Sequence, residues 1–116
     1  MKQVIGAQGE VTIIKIDAIP CETSSLSKTP KTENGFVIAH SESGNNHVLS
    51  DGDVMERIAD VPEGMKIFYA ILDRPSALFQ DAPTPHEGFN LDPGIYEFRI
   101  SREYNPFLEQ ARIVAD

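Results

Sequence analysis

Three histidines, His40, His47 and His86, with the carboxylate of Glu42 between the first two, are the side chains of this sequence suited to metal chemistry. His40 and Glu42 are two residues apart, so on a strand they face the same side, and a hairpin return could bring His47 alongside. With His86 delivered from a later strand, the set would suit zinc, or an iron, manganese or nickel centre of the cupin kind. The spacing is unspecific, because neither His-x-His nor His-Glu-x-x-His occurs, and the same residues serve equally as polar turn groups that bond the backbone. A second constellation is Arg99, Arg102, Glu103 and Tyr104. Arginine can grip a carboxylate or phosphate bidentately, Glu103 could orient it, and the Tyr104 ring could stack on a base. The alternative is an Arg–Glu clamp that pins the chain end, with Tyr104 packed over the core.

Other catalytic signatures are absent. Gly6 and Gly9 precede a strand and lead into no helix that could hold a phosphate, no serine elbow is present, and the acidic residues are scattered without a paired-carboxylate pattern. Cys21, the only cysteine, follows Pro20 and adjoins the acidic Glu22, a setting opposed to thiolate chemistry. Catalysis therefore starts from a low expectation.

The residues that must position these groups read as β-structure. Glu10 to Ile16 is a first strand ending at Pro20. Cys21 to Asn34 has Leu26 as its one large apolar residue and reads as a mobile loop or lid, or as a variable surface insertion. Phe36 to His40 and Asn46 to Leu49 read as two strands joined by the polar turn Ser41 to Asn45. Val54 to Ala59 pairs with Met65 to Leu72 in a hairpin, and the nearly continuous apolar run of the second arm marks a central strand covered on both faces. Ser76 to Phe79 is a short strand, and Pro83 and Pro85 imply an irregular crossing or an edge. Asp92-Pro93-Gly94 is a tight turn that launches the strand Ile95 to Ser101. After Pro106, Leu108 to Val114 reads as a short terminal helix, with a strand from Ala111 to Val114 as the alternative. The fold class expected is mainly β, a single domain over residues 1–116 with seven or eight short strands in a small barrel or sandwich.

Size and charge bound the function classes. The 116 residues carry 10 Lys plus Arg against 18 Asp plus Glu, and the formal charge of −8 opposes attachment to nucleic acid or anionic lipid. It serves solubility, or mimicry of nucleic acid toward a basic protein. A lone cysteine precludes an intrachain disulfide and suits a reducing compartment, and no apolar window reaches membrane-spanning length, so the expectation is a soluble cytoplasmic protein.

Several segments together carry a resemblance: Gln8-Gly9-Glu10-Val11, Ala39 to His47, Leu91-Asp92-Pro93-Gly94-Ile95-Tyr96-Glu97, Arg102 to Phe107 and Ala111 to Asp116. They resemble an uncharacterised family of small bacterial, archaeal and phage proteins with a Gln-Gly-Asp head, a Gly-His-x-His turn, a Pro-Pro-Gly-x-Tyr strand start and an Arg-Glu-Tyr-Asp cluster. Here Asn45 stands at the first histidine of that turn and His47 at the second, and Asp81 with a Pro-Thr-Pro stretch stands where a further histidine is usual. The resemblance implies that a metal site built on those histidines is depleted in this chain, and it implies a phage accessory role such as counter-defence. The leading expectation is a non-enzymatic, homo-oligomeric binding module without cofactor that holds a small molecule or sequesters a host protein. The alternatives are a metal-dependent cupin-like enzyme using the histidine set, and an acidic inhibitor that occupies a nucleic-acid channel.

Overall fold

The computed structural model describes residues 2–40, 46–81 and 88–101. Among them, ten strands form two antiparallel sheets: β1 (Gln3–Gln8), β2 (Val11–Ile16), β3 (Leu26–Lys28), β4 (Phe36–Ala39), β5 (His47–Leu49), β6 (Asp53–Arg57), β7 (Met65–Leu72), β8 (Ser76–Gln80), β9 (Phe89–Leu91) and β10 (Gly94–Ser101). The six-stranded sheet runs β1-β2-β10-β7-β6-β3 and the four-stranded sheet β4-β5-β8-β9. The arrangement is a sandwich, and among the described residues neither sheet closes into a barrel.

The sandwich follows from alternation. Val11 and Ile13 of β2, Phe68, Ala70 and Leu72 of β7, and Tyr96, Phe98 and Ile100 of β10 face inward from the large sheet. Phe36, Ile38, Leu49, Leu78 and Leu91 meet them from the small one, closing a shared apolar core. The complementary positions of the same strands, Ile14, Ile16, Ile67 and Tyr69, form a second buried cluster on the outer face of the large sheet. This is why β7 reads as a continuous apolar run: from Ile67 to Ala70 both of its faces are covered.

What covers the outer face is the connection from β2 to β3. β2 lies beside one edge of the sheet and β3 pairs with β6 at the other. The intervening residues must therefore cross the sheet, and Ile19 and Cys21 pack onto the outer cluster as they do so. The expected loop or lid over Cys21 to Asn34 is instead ordered structure: a 3-10 turn at Thr23–Ser25, then β3, then a bridge between Thr32 and Gly35. Backbone bonds from Thr29 to Val54 and from Ile58 to Ser25 fasten it to β6. Besides β3, the sequence reading misses β1 and β9, edge strands too short or too polar to show a clear period. The crossing at Pro83 and Pro85 and the terminal segment Leu108 to Val114 lie outside the described residues.

Candidate functional site

Within the outer face of the large sheet, cross-strand register sets Val4, Ile14, Glu97, Tyr69, Met55 and Lys28 in one row. Glu97 is a carboxylate between Ile14 and Tyr69 of the buried outer cluster, and it is only 1% exposed. An unpaired charge there would be costly. Arg99, two residues further along β10 and therefore on the same face, donates from Nε to Glu97 Oε2 at 2.6 Å. The Arg99 side chain is itself 39% exposed, so the pair links the buried layer to the surface. Beside it, Arg57 on β6 donates from Nε to the Ala59 carbonyl at 2.9 Å and from Nη1 to the Tyr69 hydroxyl at 3.3 Å. Burial pushes the Tyr69 phenol up, against the opposing pull of the Arg57 bond. Two arginines thus reach the Tyr69–Glu97 pair from either side.

Of the ligand constellation expected from the sequence, Arg99 stands on this face, while Arg102, Glu103 and Tyr104 lie outside the described residues. Glu97 and Tyr69 were missed. The signal for Glu97 was present, since a carboxylate and an arginine two apart on a strand necessarily share a face. Tyr69 had none, because nothing local says that its hydroxyl meets Arg57.

The histidine set divides. His47, 2% exposed, points at the turn between β1 and β2. Its Nδ1 stands 2.8 Å from Gln8 Oε1, and Gln8 Nε2 donates to the Leu78 carbonyl at 3.3 Å, which fixes the amide orientation and makes Nδ1 the donor. Nε2 faces Glu10 Oε2 at 3.8 Å. Burial lowers the His47 pKa below its ordinary value, partly offset by the Glu10 charge. The ring therefore ties the β1–β2 hairpin of one sheet to β5 and β8 of the other. Gly9 has φ +58 and Glu10 does not share a positive φ, as in a type II′ hairpin turn; a Cβ on Gly9 would stand 3.1 Å from His47 Nε2. His40 is exposed, just past the end of β4. Glu42 and His86 lie outside the described residues, and among the described residues no three His, Cys, Asp or Glu side chains converge on a metal-sized site.

One further sequence feature proves architectural. In the Asp92-Pro93-Gly94 turn the Tyr96 hydroxyl donates back to the Asp92 carbonyl at 2.7 Å, so the motif closes on itself. An open groove of about 260 Å³ is lined by Ser50, Pro75, Ser76, Ala77 and Asn90. Its hydroxyls are occupied: Ser76 Oγ donates to the Asp51 carbonyl, and Ser50 Oγ accepts from the Ala77 N–H. Asp51 is held below its ordinary pKa by the Gly52 N–H and then by Arg74, whose Nε lies 2.7 Å away.

The fold and site define an antiparallel β-sandwich whose sheets are tied by a buried histidine and whose outer face carries a carboxylate-anchored arginine. The chain belongs to the family described as a domain of unknown function, DUF8820, whose model matches residues 7–101. That span takes in the Gln8-Gly9-Glu10 turn, His47, the Asp92 to Tyr96 motif and Arg99, and ends before Arg102. No curated protein and no solved structure matches the chain.

Proposed function

We propose that this protein is a non-enzymatic, self-associating binding module that takes a small anionic ligand at the Arg99 end of its large sheet. The observation that supports it is the Glu97–Arg99 pair. A fully buried carboxylate holds a part-exposed guanidinium through Nε, which orients the rest of the fork before any ligand arrives. A carboxylate or phosphate would engage the Nη edge. Arg102, Glu103 and Tyr104 follow β10 directly, and in this reading they complete the contact, with Tyr104 offering a ring to the ligand's planar part. The resemblance to an uncharacterised family of small bacterial, archaeal and phage proteins favours sequestration as the use of such binding.

The test is a thermal-shift screen of the full chain against nucleotides, inorganic phosphate and dicarboxylates, followed by titration of any hit against Arg102→Ala. Loss of about 2 kcal/mol of binding, with little change in Tm, is the expected result. An Arg102→Ala variant that melts earlier and binds as before would assign the cluster to structure and end this reading. So would a wild-type protein whose Tm responds to no anion.

A further inference from the structure

We propose that two copies of this chain join through β1, whose free edge pairs antiparallel with β1 of the second copy about a two-fold axis, extending two six-stranded sheets into one of twelve strands. Among the described residues each sheet ends in two edge strands, and β1 is the longest of the four: six residues, against three in β3, four in β4 and three in β9. Its sequence, Gln-Val-Ile-Gly-Ala-Gln, contains neither charge nor proline, the usual guards of an edge. In a chain of net charge −8, two copies repel over most of their surface, and an uncharged strand is where their backbones can approach.

The exposed side chains agree. Val4 is 68% and Ile5 37% exposed, both on this strand. The ladder to β2 skips a residue between Val4 and Gly6, making Ile5 the bulge. A bulge ordinarily turns an edge away from partners, but this one presents apolar side chains in place of charged ones. Charge specifies the partner as a second copy. Lys2 precedes β1 and Glu10 lies just beyond it. Antiparallel pairing about a two-fold axis brings the Lys2 end of one β1 beside the turn that carries Glu10 in the second copy, and the axis repeats the approach. A strand pair of this length buries less than a standard interface, so the dimer is concentration-dependent.

This inference rests on the self-association in the proposed function and is independent of the anion site. Sedimentation velocity of the full chain between about 1 and about 200 µM tests it, because a reversible dimer grows in by mass action. Wild type should shift to dimer across that range. Val4→Lys, which sets two lysines at the junction, should keep the chain monomeric. Lys2→Glu should weaken the dimer by about tenfold, two like-charge contacts replacing two favourable ones. Lys2→Glu with Glu10→Lys should restore it, with circular dichroism confirming the fold because Glu10 adjoins His47. A wild type that stays monomeric, a dimer undiminished by Val4→Lys, or a folded double variant that fails to recover each overturns the proposal.

Discussion

Glu97 and His47 are both buried polar side chains, and they are satisfied by opposite means. Glu97 sits among apolar neighbours with Arg99 supplying a charge-assisted bond; removing that partner strands the carboxylate. Arg99→Ala should therefore cost about 2 kcal/mol, less than for a fully buried pair because solvent screens the exposed guanidinium. Urea denaturation checks it, and an unchanged midpoint would show that Glu97 finds another donor. His47 is satisfied as the neutral ring, with Gln8 receiving its Nδ1 proton. Because burial lowers its pKa, the unfolded chain takes up the proton at a higher pH than the folded one. The His47 contribution to stability is thus complete above its ordinary value of 6.5 and is lost as pH falls below it toward the lowered folded value. Urea midpoints should drop between about pH 7.5 and about pH 5, and His47→Gln should flatten that slope. Equal slopes would remove His47 as its source.

At the scale of elements, the two short motifs first noticed as family-like prove to be turns with built-in fasteners. Gly9 occupies a backbone region that side-chain-bearing residues avoid, and His47 stands close to where a Cβ would project. Gly9→Ala should destabilise by about 1 kcal/mol or more, since backbone strain and contact with His47 both act against it. The Asp92 to Tyr96 turn makes a milder prediction: Tyr96→Phe removes one hydrogen bond to the Asp92 carbonyl and should cost about 1 kcal/mol, read by thermal melt. Strands with a clear period, β2, β4, β7, β8 and β10, were legible because they alternate or are apolar throughout. β3 was not, because Leu-Ser-Lys among polar residues has no period to read, and what makes it a strand is the ladder it forms with β6.

For the whole molecule, the shared core couples the sheets into one cooperative unit. Leu78 is fully buried in the small sheet yet belongs to the cluster with Phe68 and Phe98 of the large one. Leu78→Ala should cost about 3 kcal/mol and weaken amide protection in both sheets together. Selective opening of the small sheet in hydrogen exchange would show that the tie at His47 and the shared core do not couple them.

The sequence by itself determined that the chain is mainly β, that the middle of Met65 to Leu72 is buried on both sides, and that Asp92-Pro93-Gly94 turns into a strand. Those properties reside in side-chain period and in the few residues that permit a turn, both local in the chain. Tertiary structure alone decided that residues between β2 and β3 strap the outer face, that Tyr69 meets Arg57, and that His47 meets Gln8 and Glu10. These contacts join residues distant in sequence, His47 and Gln8 being 39 positions apart. Their partners are chosen by the order in which strands assemble into two sheets, and no spacing along the chain encodes that order.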